Sequence, residues 1–256
     1  MLKHQFIAYK TIVRREVNRF MRIWTQTLLP PVITQSLYFV IFGKFIGSRV
    51  GEVQGIDYMA FIVPGLVMMA VINSSFTNVV SSFFSSKFQR NIEEMLVSPI
   101  SSWAVIGGYI TGGVLRGLLV GFIVFGVSIF FTHPQIHQIA MVVVFIILTA
   151  VVFALGGLIN AIFARKFDDI SIFPTFVLTP LTYLGGVFYS IHDLPLVWQR
   201  ISRFNPILYM VNGFRFGFYG ISDVDVWISV GILLFFTLVL TMVNVYLLDR
   251  GIGLRE

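Results

Sequence analysis

Ionisable side chains inside apolar segments are the groups with which a membrane protein could bind and move a coupling ion. Proton- and sodium-coupled carriers keep carboxylates or histidines at membrane depth for this purpose. In this chain the acidic residues fall in connections or at segment ends, at Glu52, Asp57, Glu93, Glu94, Asp168, Asp169, Asp193, Asp223, Asp225 and Asp249. The pattern therefore disfavours an ion-coupled carrier.

Arg116 is a basic residue inside an apolar segment, which makes it a candidate for an intramembrane polar site. The segment, 104–131, is longer than the roughly 20 residues that a spanning helix needs. A shift of this helix toward the cytoplasm would let the guanidinium extend to the lipid headgroups. Two interpretations of Arg116 are therefore kept, a functional residue and one that only snorkels to the interface.

The sequence carries only weak evidence for a metal site and none for a nucleotide-binding site. His133 and His137 flank Pro134, but two imidazoles without a third ligand are weak evidence for a metal site, and we predict none. A P-loop needs Gly-Lys followed by Ser or Thr, whereas Gly43-Lys44 precedes Phe45. The chain has no cysteine and hence no thiol chemistry. We expect no catalytic residue and no cofactor on this chain, so any ATP must be bound by another polypeptide.

The composition predicts an integral membrane protein that holds these residues on spanning helices. Of 256 residues, 57% are hydrophobic and only 12% are charged, which is too apolar for a soluble domain. Apolar segments predict six transmembrane helices at 28–45, 58–80, 104–131, 139–164, 170–188 and 227–248. The expected fold is all-α, a single membrane domain over 1–256. Gly113, Gly117 and Gly121 form a ladder that would let another helix approach closely.

The first 24 residues predict an amphipathic helix in the plane of the membrane interface. Its apolar residues recur at steps of three and four, at Phe6, Tyr9, Val13, Val17, Phe20 and Trp24. Basic residues lie on the flanks and opposite side, at Lys10, Arg14, Arg15, Arg19 and Arg22. Such a helix binds anionic membrane lipid. The alternative is a helix docked on a partner protein. It lacks the apolar core of a signal peptide, so we expect no cleavage.

Basic residues set the expected orientation. Twelve of the 18 fall on one side, at Lys3, Lys10, Arg14, Arg15, Arg19, Arg22, Lys87, Arg90, Arg165, Lys166, Arg250 and Arg255. Five fall on the other, at Lys44, Arg49, Arg200, Arg203 and Arg215. The positive-inside rule places the first group, and with it both termini, in the cytoplasm. Because topology accounts for the net charge of +6, we do not infer nucleic-acid binding.

The connection 85–99 between the second and third spans predicts a short cytoplasmic helix. Its part 85–96 can be helical before Pro99 stops it, and it offers both a charged and an apolar edge for docking. A plain solvated loop is the alternative, and the many apolar residues argue against it.

The stretch 170–220 interrupts the apolar pattern at membrane depth. Pro174 and Pro180 predict a kinked fifth helix that ends at Gly185-Gly186. Two shorter helices follow, one over 194–204 and one capped by Asn205-Pro206 and continuing to about Phe218. Each is too short to span, which predicts a re-entrant or interfacial pair in the outer segment 189–220. An outer loop exposed to water is the alternative.

Three stretches of the chain are QRNIEEMLVSPISSWAVIGGYITGGVLRGLLVG, FDDISIFPTFVLTPLTYLGGVFYSIHDLP and FNPILYMVNGFRFGFYG. At these residues the chain resembles the ABC-2 family of ATP-binding-cassette exporter permeases, and within it the YadH-type inner-membrane subgroup. The resemblance runs in order over essentially the whole chain. It implies a six-helix permease with an interfacial helix, a coupling helix and a re-entrant pair before the sixth span.

The resemblance also implies partners and site residues. Two copies of the chain would assemble with two cytoplasmic ATPase subunits, which bind ATP and Mg²⁺. The ATPase would contact the coupling segment at Gln89, Arg90, Asn91, Glu93, Glu94 and Leu96. An outer gate would be shaped by Pro180, Gly185, Gly186, Tyr189, Asn205, Pro206 and Arg215.

The expected function is therefore the permease subunit of an ATP-driven exporter in the inner membrane. Its substrate would be amphipathic, lipid-linked or drug-like. Two alternatives are kept: an ATP-independent channel or secondary carrier, and a structural membrane subunit.

Overall fold

The computed structural model describes residues 2–254, apart from the side chains of Leu2 and Leu96. Arg255, assigned above to the cytoplasmic side, lies outside the described residues. The α-helices are α1 (Leu2–Arg22), α2 (Trp24–Thr27), α3 (Leu29–Tyr38), α4 (Gly47–Val50), α5 (Tyr58–Phe88), α6 (Asn91–Val97), α7 (Ser102–Ser128), α8 (Ile139–Phe163), α9 (Asp169–Phe173), α10 (Thr179–Tyr183), α11 (Leu196–Arg203), α12 (Pro206–Tyr219) and α13 (Val226–Arg250). Phe39–Ile46 and Pro174–Leu178 are π-helical, and Ile191–Asp193 forms a 3₁₀ turn.

Within the described residues, five helical stretches are long and apolar enough to cross a membrane. They are Trp24–Val50, Tyr58–Phe88, Ser102–Ser128, Ile139–Phe163 and Val226–Arg250. Each coincides with one of the predicted spans. The all-α character and the multi-pass architecture predicted from composition are therefore confirmed.

The remaining predicted span, 170–188, is shorter and less regular than expected. It consists of α9, the π-helical stretch Pro174–Leu178 and α10, which together cover 169–183. Proline lacks a backbone N–H and disturbs the helical hydrogen-bond ladder, which accounts for the irregular turns after Pro174. The stretch covers roughly 22 Å along a helix axis, less than a hydrocarbon core of about 30 Å.

α5 is the central helix of the bundle, buried on nearly all sides and packed between α7 and α8. The predicted glycine ladder is the surface of α7 against which it packs. A Cβ at Gly113 would lie 2.6 Å from the Val79 side chain, and one at Gly121 would lie 2.6 Å from Val71. Helix axes can approach this closely only where side chains are absent.

A second glycine surface of α7 receives α1. A Cβ at Gly108 would lie 2.6 Å from Ile12, and one at Gly112 would lie 2.5 Å from Glu16. The buried surface of α1 is thus formed by Ile12, Glu16 and Phe20, and it is rotated from the predicted apolar arc, of which Phe6 is 64% exposed. The direction of α1 is set by its glycine neighbours as well as by its own apolar pattern.

Just before the N-terminus of α5, a two-residue turn joins β1 (Glu52–Val53) to β2 (Ile56–Asp57). Gln54 and Gly55 both have positive φ, as a tight hairpin turn requires. The Asp57 carboxylate then accepts the N–H groups of Met59 and Ala60 and starts α5. We call this end of the bundle the hairpin end and the other the α6 end.

Candidate functional site

The predicted coupling segment lies at the α6 end of the bundle. Arg90 has a left-handed backbone with φ of 61°, so the chain turns sharply where a single helix over 85–96 was predicted. Residues 85–88 belong to α5, and the short helix is restricted to α6. Leu96 lies in α6, but its side chain is outside the described residues.

α6 separates an apolar side from a polar one. Ile92 is buried at 3% exposure against the bundle. The predicted contact residues with described side chains are all exposed, namely Gln89, Arg90, Asn91, Glu93 and Glu94. Both glutamates occupy the first turn, where carboxylates interact favourably with the helix dipole. The arrangement leaves an acidic helix start exposed while the apolar side anchors α6 to the bundle.

Two side chains tie the surroundings of α6 to the bundle. The Gln5 amide of α1 donates to the Pro99 carbonyl and accepts from the Ser101 N–H, both at 2.8 Å. The Lys87 ammonium donates to the carbonyls of Ile162 and Ala164 at 2.6 and 2.8 Å, at the C-terminus of α8. A cation at that position satisfies carbonyls that have no helical partner. The α6 end is therefore linked to α1, α5 and α8.

Glu16 is the centre of a polar cluster between α1, α5 and α7. Its side chain is fully buried, and its carboxylate accepts from the Ser82 hydroxyl at 2.5 Å and from Arg19 at 3.2 Å. Arg19 also donates to the side-chain and backbone oxygens of Asn78, at 2.8 and 3.0 Å. Arg15 lies 3.7 Å from the same carboxylate. A buried charge is tolerated when it is paired and hydrogen-bonded in this way.

Sequence reasoning misses Glu16. The placement of acidic residues outside the helices overlooks this one, because α1 was interpreted by its apolar arc alone. A signal did exist in the sequence: Glu16 stands one helical turn after Ile12 and one before Phe20, among basic residues. The argument against ion coupling from the lack of buried carboxylates is corrected accordingly.

Arg116 is buried at 8% exposure and points toward the junction of α2 and α3. Its guanidinium donates to the Thr27 carbonyl at 3.4 Å. The residue four positions after Thr27 is Pro31, which has no N–H to offer that carbonyl. Arg116 thus supplies the hydrogen bond that the proline removes, whereas its Nε has no partner among the described residues.

Four of the predicted gate residues come together beside the hairpin end. Asn205 caps α12 by accepting from the Ile207 N–H at 3.0 Å, and its amide donates to the Leu181 carbonyl at 2.6 Å. Gly185 lies against Ile207, and Gly186 has φ of 72°. The Arg215 guanidinium, 1% exposed, donates to the Gly186 carbonyl at 2.7 Å and lies 3.9 Å above the Phe61 ring.

The other three predicted gate residues are less central. Pro206 is the first residue of α12, as expected from the Asn-Pro step. Tyr189 is half-buried, with its carbonyl 3.5 Å from the position of a Cβ on Gly186. Pro180 lies on the exposed side of α10.

Asp223 is a second buried carboxylate that sequence reasoning does not single out. It accepts from Ser190 at 2.8 Å and from the Ile191 N–H at 2.9 Å, and Gln54 of the hairpin turn donates to it at 2.5 Å. It joins three connections at the hairpin end, those that contain Gln54, Ser190 and Asp223 itself. In the sequence it cannot be told from neighbouring Asp225, which only caps α13. Within the described residues, no group of three or more metal-ligating side chains was found.

Comparison with known proteins relates this geometry to a family. The family model for the ABC-2 type transporter matches residues 7–219. "Inner membrane transport permease YadH" of Escherichia coli (strain K12) is 54% identical over 256 residues, all of both chains. "Nodulation protein J" of Rhizobium leguminosarum bv. viciae is 25% identical over 245 residues, 95% of each chain. The protein of that name from Rhizobium meliloti (strain 1021) is 23% identical over 238 residues, 93% of this chain and 91% of the relative.

The Glu16 cluster predicts a stability effect in the purified chain. Glu16→Leu leaves the Ser82 hydroxyl and the Arg19 guanidinium without their acceptor, at a cost of about 1–3 kcal/mol. We expect the melting temperature in detergent to fall by roughly 5 °C. The melting temperature of Glu16→Gln should fall less, because the glutamine keeps an acceptor for Ser82. The matched control is Glu94→Gln on exposed α6; an equal melting temperature for Glu16→Leu and this control would contradict the role of Glu16.

The Arg116 contact predicts a coupling with Pro31. Arg116→Gln should destabilise the chain, and Pro31→Ala should reduce that penalty because alanine restores an N–H facing the Thr27 carbonyl. The double-mutant cycle, measured by thermal unfolding in detergent, should give a coupling of about 0.5–1 kcal/mol. A penalty for Arg116→Gln that is the same in both backgrounds would rule out this contact as the reason for burying Arg116.

Proposed function

The chain belongs to the ABC-2 type transporter family, and from this we propose that it is the transmembrane permease subunit of an ATP-driven exporter. It would move an amphipathic, lipid-linked or drug-like substrate outward across the inner membrane. A separate subunit would bind ATP and Mg²⁺ and hydrolyse ATP. The observation that carries the proposal is α6, whose acidic start is exposed for a partner while Ile92 anchors it to the bundle.

We propose six crossings, with 169–183 forming the fifth. The support comes from the residues on either side of it. Phe167 stacks edge-on against Phe84 near the α6 end of α5, whereas Val187 lies against Gly65 near the hairpin end. Gly65 and Phe84 are roughly 28 Å apart along α5, close to the thickness of a hydrocarbon core. The connecting chain therefore covers a full crossing despite its short helices.

We propose that α11 and α12 form the re-entrant pair before the sixth crossing. α12 has 14 residues, roughly 21 Å, and is too short to span. It packs on the residues of α5 and α8 nearest the hairpin end: Gly217 lies against Val142, and the Tyr219 hydroxyl donates to the Ala60 carbonyl at 3.0 Å. These contacts support a helix that enters from the hairpin end and stops part of the way through.

We propose that the α6 end faces the cytoplasm. α13 ends there, since the Asp249 carboxylate accepts from Ser102 at the start of α7, so the described parts of both termini lie on one side. Most basic residues also lie at this end, which supports the orientation by the positive-inside rule. The coupling surface then comprises Gln89, Arg90, Asn91, Glu93, Glu94 and Leu96 in the cytoplasm.

The proposed outer gate is the polar junction at the hairpin end. Arg215 holds the Gly186 carbonyl, and Asn205 holds the Leu181 carbonyl, where the fifth crossing ends. These bonds satisfy backbone groups that an interrupted helix leaves open. Rearrangement of this junction, together with Pro180, Gly185, Tyr189 and Pro206, would open the pathway outward. We propose that two copies of the chain and two ATPase subunits form the transporter, with membrane lipid around it and no nucleic acid.

The coupling role predicts the effect of charge reversal on α6. Glu93→Lys with Glu94→Lys should reduce retention of the co-expressed P-loop ATPase about tenfold, because two exposed carboxylates become cations. Membrane insertion should not change, since neither side chain is buried. Affinity purification from membranes measures both quantities. Glu52→Lys at the hairpin end is the matched control and should retain the ATPase as the unmodified chain does.

Unchanged ATPase retention and unchanged transport in the double reversal would contradict the coupling role of α6. If the purified chain alone, reconstituted without an ATPase, moved substrate under an ion gradient, the secondary-carrier alternative would replace the exporter. Buried Glu16 would then be the first residue to test for ion binding.

A further inference from the structure

A basic cavity of about 480 Å³ opens at the α6 end, between α1 and the last turns of α5. We call it the arginine cavity. Its walls include Arg15, Arg19 and Arg22 from one side of α1. The facing wall carries the hydroxyls of Ser85 and Ser86 and, beyond them, Gln89. All of these side chains can donate hydrogen bonds.

The charge of the arginine cavity is only partly balanced. Among the described residues, Glu16 is the one carboxylate within 4 Å of these arginines, and it faces Arg15 and Arg19. Arg22 forms no ion pair with any described residue, and the buried Nε of Arg19 has no hydrogen-bond partner. The three guanidinium groups are therefore accompanied by a single carboxylate, which pairs with two of them, and the cavity keeps an excess of positive charge and of unused donors.

The chemistry of the walls selects an anion with several acceptor oxygens. Guanidinium groups bind phosphate through parallel hydrogen bonds, and serine hydroxyls add further donors. Two other cavities at this end differ. The one beside Phe84 is lined by Glu93 as well as by Lys87, Arg90 and Arg165, and the one beside Ile92 includes Asp249 among mainly apolar residues. The arginine cavity is lined by basic and neutral polar side chains only.

An apolar rim adjoins the cavity where α1 ends. Met21, Ile23 and Trp24 follow or flank Arg22 and are 48%, 36% and 54% exposed. Tryptophan at such a position is typical of residues at the level of lipid headgroups. An amphiphile could place its phosphate among the arginines and its acyl chains against this rim.

We propose that the arginine cavity binds the phosphate group of an anionic lipid headgroup. Binding there would bridge α1 to the end of α5, next to the start of α6. The proposal goes beyond the exporter function, because it requires neither ATP nor transport. Inorganic phosphate shares the same chemistry and is the other source that a test must separate from lipid.

The test uses the purified full chain in a neutral detergent, titrated with dioctanoyl phosphatidylglycerol while its melting temperature is followed. We expect a saturable rise with phosphatidylglycerol and none with dioctanoyl phosphatidylcholine, because the trimethylammonium group of the latter offsets the charge of its phosphate and is repelled by the three arginines. Arg22→Gln combined with Ser85→Ala should weaken the apparent affinity about tenfold, since one charge-assisted contact and one hydroxyl are lost. Within the described residues, neither side chain forms a hydrogen bond or ion pair in the Glu16 cluster, so folding should persist. Lys10→Gln, on the other side of α1, removes the same charge and should bind normally.

The remaining outcomes separate lipid from free phosphate and the cavity from its surroundings. Inorganic phosphate that competes only weakly would support lipid as the natural ligand. Inorganic phosphate that raises the melting temperature as much as the lipid would overturn the assignment to a lipid headgroup. Equal rises with phosphatidylglycerol and phosphatidylcholine, or equal weakening by Lys10→Gln and by the cavity variant, would overturn the site. None of these results depends on the ATPase.

Discussion

The close packing of three helices around the Glu16 carboxylate is the constraint on which the α6 end depends. A buried carboxylate is stable only if donors reach it, and here they come from α1 and α5. The two glycine surfaces of α7 make this possible: Gly108 and Gly112 admit α1, while Gly113 and Gly121 admit α5. If α7 carried side chains at these positions, α1 could not lie close enough to complete the cluster.

The two ends of the bundle differ in the way their backbone is held. At the α6 end, long regular helices are joined by side chains such as Gln5 and Lys87, which bind the carbonyls between and beyond helices. At the hairpin end the helices themselves are interrupted, and Asn205 and Arg215 bind carbonyls in α10 and just beyond it. The arrangement at the α6 end favours a rigid body, whereas the one at the hairpin end allows alternative backbone conformations at a small cost in free energy.

Features determined by local sequence were predictable, and those determined by tertiary contact were not. The Asn205 cap, the glycine ladder and five of the six predicted apolar helices follow from nearby residues and are found as predicted. The direction of α1 depends on glycines in a helix some 90 residues away, so Glu16 was overlooked. The left-handed turn at Arg90 could not be predicted, because no glycine stands at that position. In the sequence Asp223 resembles an ordinary loop aspartate, and only the structure shows its three hydrogen-bond donors.

In the proposed exporter, ATP binding by the partner subunit would move the α6 end as one body while the junction at the hairpin end rearranges. Because the chain has no cysteine, spin labels can be placed singly, and distances within one copy follow after dilution with unlabelled chain. For Lys10→Cys with Val97→Cys, linking α1 to α6, we predict the same distance distribution with and without trapped ATP. For Phe130→Cys with Phe204→Cys, at the other end, we predict a shift of several ångströms. A change in the first distance, or none in the second, would contradict the account.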